Sequence, residues 1–338
     1  MDKVITIEDR KVGMNEPVFV IAEAGFNHNG FLQLALELVD AAAEAGASAI
    51  KFQSFTPDEL LHHTVDYRDL FEKAYLPPEA YAAIAERARM RRILFGSTPF
   101  DSEWVRILDD TDAAFLKIAS MDITNYALLE DVATVHRPVI LSTGLSNSDE
   151  VAKAVEVLTC AGIEDLILLH CVSLYPTPHH LMNLRAIRTL ETLFNLPVGF
   201  SDHTRGDSAA IMAVAAGALV IEKHFTIDKK LPGPDHADSL DPIEFKKMVE
   251  HIRETEIALG DGAKRPCDEE LELCNKTRRG IVLRKAIKKG ECITRAHLKF
   301  LRPIFDGGIS ANNIYEICGK RIKRNAEAGE ILMKQDID

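Results

Sequence analysis

Lys51 is flanked by Ile50 and Phe52, and Lys117 by Leu116 and Ile118. Burying an ammonium group in such company costs free energy unless an anion or a carboxylate meets it. One such lysine alone reads equally well as half of an internal salt bridge. Two of them, with Ser120, Ser201 and backbone N–H groups at one mouth, read as a site for a phosphate or carboxylate. His203 and His224 form a second pair. Singly, each is an ordinary hydrogen-bonded histidine; ending adjacent strands, their imidazoles can converge on one divalent cation. Two protein nitrogens leave most of a coordination sphere to water and a substrate oxygen, as a Lewis-acid site requires. The chain has no HExxH and no Cys-His cluster, so structural zinc is not expected. Asp235 lies in LPGPDHADSL (231–240), whose Pro and Gly mark an ordered loop of the kind that holds substrate; the plainer reading is a turn cap.

These groups act together only if the fold gathers them. Short apolar runs rich in Val, Ile and Phe fall at 18–24, 49–55, 92–97, 114–120, 139–143, 166–173, 197–201 and 219–224. Stretches of helical period separate them, among them 32–45, 79–91, 149–161 and 207–216, with an eighth helix expected over 242–259. Nearly continuous apolar strands, each followed by a helix, imply parallel strands covered on both faces, and eight of them imply a closed (β/α)8 TIM barrel. An open doubly wound sheet would favour a glycine-rich first turn, and the 24–30 segment AGFNHNG is not a GxGxxG. In such a barrel catalytic groups sit at the C-terminal strand ends. Unusual polar residues fall there on every strand: Glu23; Lys51 and Gln53; Ser97 and Thr98; Lys117, Ser120 and Asp122; Ser142 and Thr143; His170, Ser173 and Tyr175; Ser201, Asp202 and His203; Glu222, Lys223 and His224.

Past Gly260 the pattern changes. GDGAKRP (260–266) breaks the helix, and short strands and turns follow a charged segment. The expected division is a barrel over 1–262, a linker over 263–278 and a small β-rich domain over 279–338. AIKKGE (286–291) recurs loosely within that last domain as NAEAGE (325–330).

Charge divides the chain in the same place. Residues 279–338 hold 13 Lys and Arg against 7 Asp and Glu, a net +6, leaving 27 against 45, or −18, of the total −12 for the rest. The basic tail has no dense Lys/Arg run and, before Tyr315, only Phe300 and Phe305 as aromatics, so nucleic acid is not its expected partner. An acidic body or an anionic substrate is. The start MDKVITIEDRKVG lacks the features of a secretory signal, and no apolar run approaches about 18 residues, so a cytoplasmic protein free of membrane spans is expected. Six scattered cysteines without a CxxC pair are read as free thiols.

With these residues placed, the sequence resembles the N-acetylneuraminate (sialic acid) synthase family and its relatives that make legionaminic-type acids. The resemblance runs in order through IAEAGFNHNG (21–30), KFQSFTPDEL (51–60), STPFD (97–101), KIAS (117–120), LSTGLS (141–146), HCVSLYPTP (170–178), GFSDHT (199–204) and EKHFTIDKKLPGPDH (222–236). The tail resembles the antifreeze-like (SAF) module of that family. The resemblance implies a transferase that condenses phosphoenolpyruvate with an N-acylmannosamine-type sugar, giving a nine-carbon sugar acid and phosphate. It implies a homodimer swapped through the SAF domain, so that each active site is completed by the other subunit. By position, Lys51, Gln53, Lys117, Ser120, Ser173 and Ser201 would bind phosphoenolpyruvate, and His203 and His224 would hold manganese, or magnesium or cobalt in its place. Glu23 and Asp122 would be acid/base or water-orienting carboxylates. Tyr175, Asp235 and Arg302 would hold the sugar, Arg302 reaching its N-acyl group from the partner.

The chain departs from the family pattern in three places. Asp122 stands where many relatives have glutamate, Ser173 where they often have asparagine, and the 302–310 loop is bulkier than the usual glycine-rich version. Other readings of the same residues are a Schiff-base aldolase with Lys51 or Lys117 as nucleophile, a phosphoenolpyruvate-dependent synthase for another aldose, and a sugar-binding barrel without catalysis.

Overall fold

The computed structural model describes residues 3–338 and contains two compact units, Met1–Gly260 and Asp261–Asp338. The first begins with an antiparallel hairpin, β1 (Ile5–Ile7) and β2 (Arg10–Val12). Eight parallel strands follow: β3 (Phe19–Gly25), β4 (Ala49–Ser54), β5 (Leu94–Pro99), β6 (Phe115–Ile118), β7 (Val139–Ser142), β8 (Leu166–Cys171), β9 (Val198–Asp202) and β10 (Val220–His224). Each pairs with the next in sequence, and β10 closes on β3, as expected for a TIM barrel. The helices are α1 (Leu32–Glu44), α2 (Pro57–Leu60), α3 (Arg68–Ala74), α4 (Pro78–Arg91), α5 (Ser102–Asp110), α6 (Tyr126–Ala133), α7 (Ser148–Cys160), α8 (Ala186–Phe194), α9 (Ser208–Ala215) and α10 (Pro242–Leu259). Capping boxes start two of them, Asn147 with Glu150 at α7 and Asp241 with Glu244 at α10.

Alternation along the strands divides the core in two. In β3, Val20, Ala22 and Ala24 pack against the helices, while Phe19 and Ile21 point to the barrel axis. The same parity sends Ile140, Ile167, Leu169 and Val220 inward, where they form the lower half of the barrel filling. Phe115 crosses this layer edge-on to Phe19, with ring centroids 6.2 Å apart. Its ring occupies the space a side chain at 96 would need, since a Cβ on Gly96 would lie 2.3 Å from it. Ile5, Ile7 and Val12 of the hairpin, all fully buried, join that layer. The sequence reading missed this hairpin because its strands are only three residues long.

The second unit contains α11 (Asp268–Thr277), β11 (Gly280–Leu283) paired antiparallel with β12 (Leu298–Leu301), and α12 (Ile314–Ile317). The charged segment before Arg279 is thus helical, although none of its residues is buried. The two loosely repeated motifs meet each other: Ile287 and Ala326 exchange backbone hydrogen bonds of 2.9 and 3.0 Å. A separate apolar cluster that includes Ile281, Leu283, Ile293, Leu298 and Leu332 fills this unit. All six cysteines are free. Among the described residues no helix is long and apolar enough to cross a membrane.

Candidate active site

Above the apolar layer the inward positions turn polar. Glu23, Lys51, Lys117, Ser201 and Glu222 come from β3, β4, β6, β9 and β10, all nearly inaccessible to solvent. Lys51 Nζ lies 2.6 Å from Glu23, 3.7 Å from Glu222 and 3.2 Å from the Thr98 hydroxyl. Lys117 is less well paired. Its ammonium donates to the Ile118 carbonyl at 3.1 Å and is 4.0 Å from Glu222. Burial pulls the Lys117 pKa down, a cost that an incoming anion would relieve.

Glu222 is the hub of this layer, and it was not among the residues assigned a role from sequence. It accepts a hydrogen bond from Ser201 Oγ at 2.9 Å. Burial pushes its pKa up, but Lys117, Lys51 and Ser201 together hold it well below the usual carboxylate range. Burial dominates at Glu23, which rises to about 7 in spite of Lys51. Gln53 donates to Glu23 at 3.3 Å. The strand parity that sends Glu222 and His224 inward sends Lys223 outward, where it forms a wholly buried pair with Asp202 at 2.9 Å. That parity was the available signal for separating a structural lysine from the two at the site.

These groups line a cavity of about 410 Å³ together with Ser120, Ser142, Ser173, Tyr175, His203 and His224. Next to Lys117, the Gly144 amide donates to Ser120 Oγ at 3.1 Å. A Cβ on Gly144 would stand 2.4 Å from Ser173 Oγ and 2.7 Å from Ser120 Oγ, so only glycine leaves this cradle open. Ser142 Oγ is buried beside it without a partner. Two ammonium groups, hydroxyls and an open backbone turn suit an oxyanion. Phe26, Leu60, Leu61, Tyr67, Phe71 and Phe100 form an apolar wall, largely from the α2–α3 excursion that sequence periodicity did not reveal.

His203 and His224 are neighbours, with ring centroids 5.6 Å apart. His203 Nδ1 bonds the Val172 carbonyl at 2.8 Å, which directs Nε2 outward as the free lone pair. Burial drops His224 to about 4, keeping it neutral as a metal ligand must be, and its Nδ1 is buried without a hydrogen-bond partner. This donor set fits a divalent ion held by two nitrogens. Among the described residues no cluster of three or more His, Cys, Asp or Glu is placed to hold one. Tyr175 covers the pair, its ring 4.1 Å from that of His203. The Asp235 carboxylate is 3.8 Å from His224 Nδ1. Cys171, also unassigned from sequence, lines the cavity 3.8 Å from His203 Nδ1.

Two expected site residues of the first unit, Asp122 and Asp235, do not line the cavity themselves. Asp122 is buried on the turn after β6 and accepts from Asn125 at 3.4 Å. Arg302 belongs to the second unit, exposed just past β12.

The NeuB family model matches residues 38–264, and the SAF domain model matches residues 278–338. An uncharacterized protein of Methanocaldococcus jannaschii is 46% identical, covering 98% of each chain. An N,N′-diacetyllegionaminic acid synthase of Legionella pneumophila is 42% identical, covering 96% of each. Among solved structures, an N-acetylneuraminic acid synthetase of Leptospira borgpetersenii superposes with a TM-score of 0.78 at 40% identity, covering 80% of this chain and 95% of that one.

Proposed function

Because the chain belongs to the NeuB family, we propose that it condenses phosphoenolpyruvate with an N-acylmannosamine-type sugar to give a nine-carbon sugar acid and phosphate. The observation that carries this reading is the juxtaposition of a two-lysine oxyanion cradle with a pair of adjacent histidines in one cavity. In this reaction C3 of phosphoenolpyruvate bonds to the aldehyde carbon of the open-chain sugar. Water adds at C2, and phosphate departs with its bridging oxygen. Lys51 and Lys117 neutralise the phosphate and carboxylate, with Ser120, Ser173 and Ser201 as hydrogen-bond partners. Glu23, raised by burial to about 7, orients the water and takes its proton. Gln53 holds Glu23 in place, Glu222 sets the charge of both lysines, and Asp122 acts on Lys117 from outside the cavity wall. Tyr175 and Asp235 take sugar hydroxyls.

A divalent ion, manganese by preference, at His203 and His224 would polarise the aldehyde oxygen. The protein acts as a cytoplasmic homodimer in which the partner's Arg302 reaches the N-acyl group; the opposite charges of the acidic body and basic tail support the dimer. The test is phosphate release from phosphoenolpyruvate with Mn2+, using N-acetylmannosamine and a 2,4-diacetamido-6-deoxymannose, against a chelated control. Metal-dependent release with either sugar supports the reading, and none with both refutes it. The lowered pKa of Lys117 favours one second reading, an imine-forming aldolase. Borohydride reduction in the presence of pyruvate would then leave a covalent adduct on Lys117, which the synthase reaction does not.

A further inference from the structure

The segment joining β10 to α10 carries Asp235 and is held by buried side chains that the reaction above does not use. Asn27 Nδ2 donates to the Phe225 carbonyl at 2.9 Å and to Ser239 Oγ at 3.1 Å. Ser239 Oγ donates in turn to the Asp235 carbonyl at 2.7 Å. These bonds fix the backbone on one side of Asp235. On the other side stands His236, fully buried. Its Nε2 lies 3.2 Å from Asn29 Nδ2 and 3.5 Å from Asn29 Oδ1, and its Nδ1 lies 2.7 Å from Thr226 Oγ1. Thr226 Oγ1 passes the chain on to the Asp228 carbonyl at 3.2 Å. The backbone crosses the ring edge at Gly233, where φ is +148° and a Cβ would lie 2.7 Å from His236 Cδ2.

Any buried imidazole needs its nitrogens satisfied, so what distinguishes His236 is which segments satisfy them. Here each nitrogen meets a different segment, the β3–α1 loop and the start of the β10–α10 loop, and the preceding residue, Asp235, is the one that faces His224. We propose that His236 is a positioning residue: clamped between Asn29 and Thr226, it sets the place of the Asp235 carboxylate beside His224, and thereby the binding of the sugar. This rests on the synthase reading for the identity of the substrate.

The test is a double-mutant cycle on the full chain with Mn2+ and whichever sugar the wild type uses. His236→Phe keeps the ring volume and removes both nitrogens. It is expected to raise the sugar KM about tenfold, to leave the phosphoenolpyruvate KM unchanged, and to have no further effect in an Asp235→Ala background. His236→Gln, which keeps a donor and an acceptor, recovers part of the loss. Asn29→Ala breaks the clamp from its other side and shows the same split if His236→Phe fails to fold. An unchanged sugar KM, an equal rise in both KM values, or effects that multiply with Asp235→Ala would overturn the proposal. Should the wild-type chain release no phosphate, the synthase reading fails by itself. The cycle is then read as Mn2+ affinity by electron paramagnetic resonance. About tenfold weaker binding in either single variant, with no further loss in the double, supports the clamp; full affinity in His236→Phe overturns it.

Discussion

The lower and upper halves of the barrel interior are built by the same eight strands, yet they are opposite in chemistry. Below, Phe19, Ile21, Phe115, Ile140 and Val220 make an apolar layer sealed by Ile5, Ile7 and Val12. Above, Glu23, Lys51, Lys117 and Glu222 place two positive and two negative groups within 4.0 Å of a neighbour. The lower layer gains stability from area removed from water and has no function to protect. Replacing a buried ion cluster by apolar side chains is often neutral or stabilising, so the upper layer exists for what it binds. Closing the fold and holding the ligand are thus divided along the barrel axis.

The sharpest way to break that division is Lys51→Met. It leaves Glu23 and Glu222 without the cation between them, and removing one member of a buried pair costs about 3–5 kcal/mol. The loss should appear in urea denaturation, and phosphate release should fall by about 10²–10³ as an electrostatic donor to the reacting anion disappears. A variant that is as stable as the wild type would mean that the carboxylates simply protonate. Ile7→Ala attacks the other half. Emptying a fully buried site in the apolar layer should cost about 2–5 kcal/mol by the same measurement. Turnover at low temperature should persist, because no cavity-lining residue belongs to the hairpin.

Much of this arrangement could be read from the sequence, for definable reasons. The eight strands are nearly continuous apolar runs, and ten of the residues assigned to the site, from Glu23 to His224, line one cavity. What escaped was information that a list of strand ends does not contain. Lys223 sits between two inward residues and faces outward, so its placement follows from parity rather than composition. Glu222 was visible as a strand-end acid, but its hub position follows from the closure of β10 onto β3 and β9. The sealing hairpin and the α2–α3 wall are too short to give a periodic signal. Asp122 was placed by motif position, and the turn after β6 carries it behind the wall.

A smaller effect concerns pH. Burial raises Glu23 above its unfolded value of 4.5 to about 7, so the folded chain holds this proton more tightly than the unfolded chain does. Its contribution is therefore fully present below about pH 4.5 and is lost as pH rises through about 7. Denaturation midpoints of metal-free protein should show a component that declines across this window, and Glu23→Gln should remove it. A wild-type profile identical to that of the variant would place Glu23 in its ordinary range and make the upper layer more polar than its burial indicates.

The smallest expected effect is that of Asp122→Asn, and set against Glu23→Gln it separates the two carboxylates that the sequence treated alike. A group that moves a proton in the transition state contributes about 10²–10⁴ to the rate, so Glu23→Gln should lose that much. Asp122 touches Asn125 rather than the cavity, and burial alone raises its pKa against the opposing pull of Asn125 and Lys117. Asp122→Asn keeps its shape and an acceptor oxygen, so kcat should fall by less than about tenfold, through a small change in the field at Lys117. Single-turnover phosphate release with both variants gives the comparison directly. Equal losses would mean that Asp122 reaches the reacting water when substrate binds, and that the boundary between the chemical layer and its support lies farther out than the resting cavity wall.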